Sequence, residues 1–228
     1  MSELFGEHAE RYADYAENSG PNAHYDRPAI LRLAGGLAGK QVLELGSAGG
    51  GLTAQLAAAG AEVLGLDRGA DLVQLARKRL GARARFETAD LNEPLTMVPS
   101  ASTDVAVASL VLHYLEDWGP LLAELHRCLK PGGTLVFSVH HPITGWLRSD
   151  RTDYHRVELI SEDWDWNGKT VTGRMYRRPV SAVFTSLLEA GFAIDAVEEP
   201  QPTPGVEDPE LDRILRTTPV FLYVRAVR

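Results

Sequence analysis

Val42-Leu43-Glu44-Leu45-Gly46-Ser47-Ala48-Gly49-Gly50-Gly51 is the stretch that decides the fold of this 228-residue chain. Its first half is an apolar run that suits a buried parallel strand, and its second half is a loop of small residues. Glycine backbone in such a loop can approach a ligand closely. Apolar side chains then recur at helical spacing, at Leu52, Leu56 and Ala59. The stretch therefore predicts a strand, a tight ligand-binding turn and a helix.

Acidic residues follow the predicted strands at a regular interval. The apolar run at residues 62–66 ends at Asp67, which lies 21 residues after Gly46. A small-residue turn followed by an acidic residue about 20 positions later is how parallel α/β sheets hold a ribose-bearing cofactor. Glu44, Asp67 and Asp90 are spaced 23 residues apart, each at a predicted strand end. We therefore expect a cofactor site at these ends; the alternative is a tight turn that binds nothing.

Strands and helices alternate over residues 40–139, which indicates a parallel sheet covered on both faces. We predict its five strands at residues 41–45, 62–66, 83–88, 104–110 and 134–139. The helix-breaking turn Lys130-Pro131-Gly132-Gly133 should separate the last helix from the fifth strand. A helix beginning at Pro179 and strands at residues 193–197 and 220–227 follow. The sum is a doubly wound, seven-stranded α/β sheet.

Composition narrows the class of protein. Apolar residues make up 44% and charged residues 24%, which is typical of a globular domain. A net charge of −8 argues against a nucleic-acid partner. The sequence shows neither a signal-peptide pattern nor an apolar run of about 18 residues, so we expect no membrane partner. Cys128 is the single cysteine, which fits a reducing cytoplasm. We expect a cytoplasmic monomer or homodimer, and we predict no metal ligands.

We divide the chain, as one domain, into a helical cap, a cofactor-binding core, an aromatic-rich insertion and a C-terminal helix with strands, at residues 1–38, 39–139, 140–178 and 179–228. The insertion holds three of the four tryptophans: Trp146, Trp164 and Trp166. Asn167-Gly168 predicts a two-residue hairpin turn within it. We interpret the insertion as a lid over a substrate pocket. A dimer contact or a satellite core is the alternative.

Several motifs in this order resemble the class I S-adenosylmethionine-dependent methyltransferases over about residues 40–140. Glu44-Leu45-Gly46-Ser47-Ala48-Gly49-Gly50 is similar to the family's first motif, acidic-x-Gly-x-Gly-x-Gly, with Ala48 where a glycine is usual. Later motifs are matched, in order, by Asp67, Ala89-Asp90-Leu91, Ser109-Leu110-Val111-Leu112-His113-Tyr114 and Leu129-Lys130-Pro131-Gly132-Gly133. The resemblance implies a mostly parallel Rossmann-like sheet with helices on both faces, an antiparallel last strand, and S-adenosyl-L-methionine as cofactor.

The resemblance also implies contacts to the methionine part of the cofactor. Its backbone would be approached by the loop residues Gly46, Ser47 and Ala48. Glu44 would take up the ammonium group, and the other side would be closed by Ser109 and Leu110. Tyr25 and Arg27, in the helical cap, are our candidates for the carboxylate end. A surface aromatic and a surface charge are the alternative for these two.

The adenosine part would lie along the remaining acidic residues. Asp67 would accept hydrogen bonds from the ribose hydroxyls, with Arg68 over that edge. Asp90 would accept a hydrogen bond from the adenine amino group, with Ala89 and Leu91 beside it.

Methyl transfer from a sulfonium is an in-line displacement, so the protein chiefly supplies alignment and excludes water. A general base is needed only where the acceptor must lose a proton. His140, His113 and His141 follow the fifth and fourth predicted strands, and we rank them as candidate bases in that order. A free imidazole there would produce a rise in activity near about pH 6–7. A strand exit and a polar helix position are the alternatives. We expect O- or N-methylation of a small acceptor that is aromatic or apolar.

Two other functions stay open at this point. An NAD(P)-dependent oxidoreductase would use the same sheet and an acid such as Asp67. Its fingerprint has a glycine where Ala48 stands, and it leaves Asp90 unexplained. A non-catalytic S-adenosylmethionine-binding protein would retain all three acidic residues.

Overall fold

The computed structural model describes residues 9–166 and 168–228, so residues 1–8 of the predicted cap and Asn167 of the predicted hairpin turn lie outside the described part. The chain begins with helix α1 (Ala9–Asn18), a π-helical turn (Asn22–Asp26) and helix α2 (Arg27–Ala34). Pro28 stands in the first turn of α2, where its missing N–H costs no helical hydrogen bond. Helices therefore occupy most of the described residues of the predicted cap.

The alternating part follows as β1 (Gln41–Leu45), α3 (Gly51–Ala58), β2 (Glu62–Asp67), α4 (Ala70–Leu80), β3 (Arg85–Thr88), β4 (Thr103–Ala108), α5 (Gly119–Cys128) and β5 (Leu129–His140). Short 3-10 turns precede β3 and follow β4, at Gly81–Arg83 and Leu112–Tyr114. The remaining elements are α6 (Pro142–Arg148), β6 (Glu158–Asp165), β7 (Thr170–Arg177), α7 (Val180–Glu189), β8 (Ala193–Glu198), α8 (Pro209–Thr217) and β9 (Phe221–Val227). In the described ranges, no helix combines the length and the apolar character needed to cross a membrane.

Seven strands form the main sheet in the order β3-β2-β1-β4-β5-β9-β8. The first five pair in parallel, whereas β9 is antiparallel to both of its neighbours. This confirms the predicted mostly parallel, seven-stranded sheet with an antiparallel last strand. The chain direction across the sheet reverses between β1 and β4, and open α/β sheets bind ligands at such a switch point.

Both faces of the sheet are buried, which explains the near-continuous apolar strands. Alternate residues of a strand belong to different cores. Leu43 and Leu45 of β1 pack into one core, whereas Val42 packs into the other. Ala106 and Val107 of β4 divide in the same way. Helices cover each core, so the sheet leaves only its strand ends free for a ligand.

Three predicted strand boundaries were wrong. Strand β3 begins at Arg85 and not at residue 83, because Gly81–Arg83 forms a 3-10 turn. Strand β4 ends at Ala108 because Leu110 has a positive φ of 48°, and its N–H donates to Ser138 Oγ and to the Ser138 carbonyl. Strand β5 begins at Leu129, before the predicted turn. Leu129 pairs with Thr103, and Thr134 then pairs with Val105, so the predicted turn residues form an irregularity inside one long strand.

The insertion contains an antiparallel hairpin of β6 and β7, which forms its own two-stranded sheet. The backbone groups of Trp166 and Lys169 bond to each other across the turn, with N···O distances of 2.9 and 3.3 Å. Gly168 has a φ of 82°, the left-handed conformation that a two-residue turn requires. The sequence prediction of a hairpin here is confirmed.

Candidate functional site

A cavity of about 180 Å³ opens where β1, β2 and β4 end. Most residues predicted to contact the cofactor line it: Glu44, Gly46, Ser47, Ala48, Asp67, Arg68, Asp90, Leu91, Ser109 and Leu110. The helical cap contributes Arg27 to the lining, as expected, and also Asp26. The strand-end carboxylates thus share one cavity at the switch point of the sheet.

The small-residue loop is in close contact with two other segments. A Cβ on Gly46, which has a φ of 71°, would lie 2.6 Å from Val111 Cγ2 in the segment after β4. A Cβ on Gly49 would lie 2.6 Å from the Cβ of Ala13 in α1. These glycines are therefore needed for packing of the protein against itself, because no side chain fits at either position.

Ala48 adopts the conformation that glycine favours. Its φ is 46°, and its N–H donates to Asp67 Oδ2 at 2.8 Å. A left-handed backbone costs a non-glycine residue about 1–2 kcal/mol. This accounts for the glycine usual at this place in the motif, and the methyl group is the smallest departure from it.

Asp67 connects two loops. Its carboxylate accepts from Ala48 N–H and from Gly69 N–H, each at 2.8 Å. Burial raises the pKa of Asp67 even though these hydrogen bonds favour its charged form. A carboxylate has about four acceptor positions, so two stay available to a ligand after both backbone bonds are made.

Glu44 is a buried acid in the middle of the sheet. Its side chain accepts from Thr53 Oγ1 at 2.5 Å, and the residue is 2% exposed. Burial raises its pKa from 4.5 to about 8. The carboxyl group of the cofactor-free protein therefore holds its proton over much of the neutral range.

Asp90 lies at the other end of the cavity. Its Oδ1 accepts from the backbone and side-chain nitrogens of Asn92, at 3.0 and 2.8 Å. Although its partial burial acts to raise the pKa, these hydrogen bonds and the Arg68 charge bring the pKa of Asp90 below its ordinary value. Arg68 Nε lies 3.4 Å from Asp90 Oδ2, so Arg68 is paired with this acid.

Two predicted cofactor residues lie outside the described lining. Tyr25 is buried with its ring stacked on Phe221 at 5.5 Å, so its side chain belongs to the core. Ala89 is buried behind the cavity, where its N–H donates to the Asp67 carbonyl at 2.9 Å. Their neighbours in sequence, Asp26 and Asp90, line the cavity instead.

Sequence reasoning missed the contribution of α1 and the turn after it. Tyr12, Ala13, Ala16, Glu17 and Asn22 line the cavity, as do Val111 and Tyr114 after β4. Ala13, Ala16 and Glu17 have the i, i+3, i+4 spacing of one helix face, which was the available signal. This spacing predicts a helix face but does not say what that face contacts.

The three candidate bases line a second, smaller cavity of about 20 Å³. His113, His140 and His141 form one side, and the hairpin contributes Ile160, Glu162, Met175 and Tyr176. None of the three lines the cofactor cavity as described. The turn Leu112–Tyr114 separates the two cavities, because Tyr114 lines the first, His113 lines the second, and their ring centroids are 4.4 Å apart.

Burial keeps all three imidazoles neutral. It lowers the pKa of His140 to about 4 and that of His113 well below the ordinary value. The pKa of His141 is also lowered by burial, against the opposing effect of Glu199. Both nitrogens of His141 are engaged: Nδ1 accepts from Ile143 N–H at 3.1 Å, and Nε2 lies 2.7 Å from Glu199 Oε1. The free-imidazole pKa behind the expected activity rise near about pH 6–7 therefore does not apply.

The sequence and the structure were compared with those of known proteins. The sequence profile described as "Methyltransferase domain" matches residues 43–137. A crystal structure of an S-adenosylmethionine-dependent methyltransferase from Mesorhizobium loti is 28% identical, with a TM-score of 0.71, over 92% of this chain and 99% of that one. The chain is thus similar to the class I S-adenosylmethionine-dependent methyltransferases. S-Adenosylmethionine is its cofactor, and the enzyme has the Rossmann-like fold of that class.

Two further proteins are similar to this chain in sequence. An uncharacterized protein of Haemophilus influenzae is 29% identical over 90% of the methyltransferase and 87% of its own length. A ubiquinone biosynthesis O-methyltransferase of Sodalis glossinidius is 35% identical over 48% of this chain. That alignment spans 45% of the relative, about half its length.

The residues of the cavity suit the cofactor chemically. S-Adenosylmethionine has no phosphate groups, and the loop approaches the cavity with backbone and small side chains. Ser47 Oγ is buried there without a hydrogen-bond partner among the described residues. The cofactor also presents hydroxyl, amino and cationic groups, and the strand ends present carboxylates to the same space. Which atom contacts which residue stays a prediction.

Ala48→Gly should stabilise the methyltransferase by about 0.5–1 kcal/mol. Removing the left-handed strain gains about 1–2 kcal/mol, and the greater freedom of glycine in the unfolded chain takes back about 0.5–1 kcal/mol. Urea unfolding with and without cofactor would measure it. Ala101→Gly is the matched control, since Ala101 has a φ of 50° in a turn outside the cavity lining. If Ala48→Gly lowers the free energy of unfolding and Ala101→Gly does not, the backbone of Ala48 is not strained.

Glu44→Gln should change how stability depends on pH. The folded pKa is raised above the ordinary value of 4.5 to about 8, so the folded protein binds the extra proton between these values. The stability of the wild type should therefore fall across this range as pH rises, by roughly 3–5 kcal/mol from this group alone. The free energy of unfolding, measured without cofactor at several pH values, should rise for the variant relative to the wild type toward pH 8. The exposed Glu62→Gln should track the wild type, and parallel curves for Glu44→Gln would refute the assignment.

Proposed function

We propose that this enzyme transfers the methyl group to an oxygen or nitrogen of a small-molecule acceptor that binds at the ends of β4 and β5, beneath the β6–β7 hairpin. The observation that carries the proposal is the juxtaposition of the two cavities across the turn Leu112–Tyr114. One cavity is lined by the acidic strand ends, and the other by histidines and the inner residues of the hairpin.

The ubiquinone relatives support oxygen as the methylated atom. The chain spans about half of their length, with 35% identity in the Sodalis glossinidius protein. A small hydroxylated acceptor is consistent with this similarity. The second cavity has a mixed lining, but at about 20 Å³ it holds only about one water molecule, so the acceptor enters when the hairpin opens. That lining combines apolar Ile160 and Met175 with the polar Tyr176 and Glu162.

The contacts between the hairpin and helix α1 support the proposed role of a lid. Trp166 is 1% exposed, and its ring lies 4.9 Å from that of Tyr12, which lines the cofactor cavity. Tyr15 of α1 stacks on the same indole at 6.2 Å. Trp146, by contrast, stacks against the Arg177 guanidinium at 4.9 Å. The Trp166 ring thus holds the hairpin against α1, and we propose that this hairpin is the lid of the acceptor site.

His140 is the base that we propose where the acceptor carries a proton. The cofactor, when bound, supplies an electrophilic methyl group. The protein aligns the acceptor with it and keeps water away. His140 is neutral at physiological pH and ends β5, in contact with His113 at a ring distance of 4.6 Å. A neutral imidazole can accept the proton of the acceptor. His113 ranks second, and His141 third because both of its nitrogens are already engaged.

The free thiol of Cys128 is buried, which supports a reducing compartment such as the cytoplasm. A monomer or a homodimer remains our prediction for the assembly.

A panel of small acceptors should identify the chemistry. With radiolabelled cofactor, we expect methylation of at least one hydroxylated aromatic, tested with catechol, 4-hydroxybenzoate and 3,4-dihydroxybenzoate, with aniline as the nitrogen probe. Replacing residues 162–172 by a short glycine-serine link should abolish transfer, because the lid is lost. The affinity for the cofactor should stay within about tenfold, since the strand-end motifs are untouched.

Trp166→Ala is the matched control for this deletion, because it removes the contact of the hairpin with α1 and leaves the β6–β7 strand pairing in place. Its transfer rate should lie between those of the wild type and the deletion. Normal turnover by a folded deletion variant would show that the hairpin is no part of the acceptor site. Absence of transfer to any small molecule, with transfer to a macromolecular acceptor instead, would contradict the proposed function.

His140→Gln should lower kcat by about 10²–10⁴-fold with little change in cofactor affinity, because it removes the proton acceptor but retains size and polarity. The lowered pKa of about 4 keeps His140 unprotonated above that pH. The wild-type rate should therefore be level through the neutral range and fall only as pH approaches 4. The exposed His155→Gln is the control. Near-normal turnover by His140→Gln would mean that alignment alone drives transfer.

A further inference from the structure

Two carboxyl groups and one guanidinium lie at one end of the cofactor cavity. Asp26, Glu44 and Arg27 all line it, and all three are buried. Arg27 is the one cation of the three, and its guanidinium donates to the Ala16 and Glu17 carbonyls at the end of α1. Two buried carboxyl groups thus share one nearby cation.

Asp26 is a buried acid without an ion pair. Burial raises its pKa, and the hydrogen bond from Ser109 and the charge of Arg27 only partly oppose this shift. The π-helical turn Asn22–Asp26 carries it over the sheet, where Oδ2 accepts from Ser109 Oγ at the end of β4. Its Oδ1 has no hydrogen-bond partner among the described residues. No ion pair between those residues, with a nitrogen–oxygen distance of at most 4.0 Å, includes Asp26. Because Asp26 is only 1% exposed, water does not take the place of those partners.

The topology fixes which end of the cavity this is. Asp90 and Asp67 follow β3 and β2, on one side of β1, whereas Ser109 follows β4 on the other side. With the adenosine part along Asp67 and Asp90, the methionine part of the cofactor reaches Ser109 and Asp26. This orientation rests on the proposed function and on the contacts predicted for the acidic strand ends.

The methionine part changes its charge during the reaction. A lone pair of the acceptor forms the new bond to the methyl carbon, and the electrons of the broken C–S bond stay on sulfur. The sulfonium of S-adenosylmethionine thereby becomes the neutral thioether of S-adenosylhomocysteine, and the acceptor proton goes to the base. The ammonium and carboxylate groups of the methionine part are the same before and after.

We infer that Asp26 makes the cavity select the cationic methyl donor over its neutral product. A carboxylate without a paired cation attracts the sulfonium but gains nothing comparable from the thioether. If the sulfonium binds about 6 Å from the carboxylate, at an effective dielectric constant of about 20, one such charge pair would correspond to roughly a hundredfold in affinity. The same preference drives product release, because transfer removes the charge that Asp26 attracts.

Calorimetric titration with S-adenosylmethionine and with S-adenosylhomocysteine tests this directly. For Asp26→Asn, the Kd of the donor should rise by about 10–100-fold, while the Kd of the product changes less than about threefold. Asp67→Asn is the matched control, because the proposed ribose contact is common to both ligands, so both affinities should fall alike.

Equal weakening of both ligands by Asp26→Asn would overturn the inference, since Asp26 would then contact a group common to both, such as the ammonium. No change in either affinity would overturn it too. If Asp26→Asn does not fold, as judged by circular dichroism, Asp26→Ser removes the same charge and the same ratio decides. A wild-type protein that binds neither ligand would instead refute the proposed function, so the two failures are distinguishable.

Discussion

The close approach of the Gly46–Gly51 loop to its neighbours is the constraint on which the rest of the site depends. Without a side chain at Gly46 the segment after β4 can pack onto the loop, and without one at Gly49 helix α1 can do so. The carboxylate of Asp67 then holds the loop from a third side through Ala48. One short stretch of backbone thus determines the relative positions of the first strand, the cap and the turn between the two cavities.

The sheet could be predicted from sequence because each strand carries its own signal. Apolar runs, helix breakers and acids at equal intervals are local patterns, and each depends on nearby residues only. The cofactor cavity followed from them, since parallel strands bring their ends to one edge. The hairpin turn at Gly168 was equally local. The failures at β4 and β5 are positions where a contact distant in sequence decides, as when Ser138 captures the backbone of Leu110.

The cap and the histidines show more clearly what could not be predicted from the sequence. Tyr25 and Asp26 are adjacent in sequence, yet one ring enters the core and the other side chain lines the cavity. A π-helical turn sets that choice, and no pattern in the sequence predicts it. The location of His113 and His140 at strand ends was predictable, whereas their seclusion behind the turn Leu112–Tyr114 was not. Burial then changes their acid–base properties, because an imidazolium loses its hydration there.

The β6–β7 hairpin shares no strand pairing with the main sheet in the described part of the chain. Its attachment to the rest consists of side-chain contacts such as the Trp166–Tyr12 ring pair and the Arg148–Glu162 ion pair. A unit held in this way can detach without breaking the backbone ladder of the main sheet, so its opening free energy is set by a few contacts and falls below that of global unfolding. Amide hydrogens of β6 and β7 would then exchange with solvent through this local detachment. Those of β1 and β4 would exchange only when the whole domain unfolds.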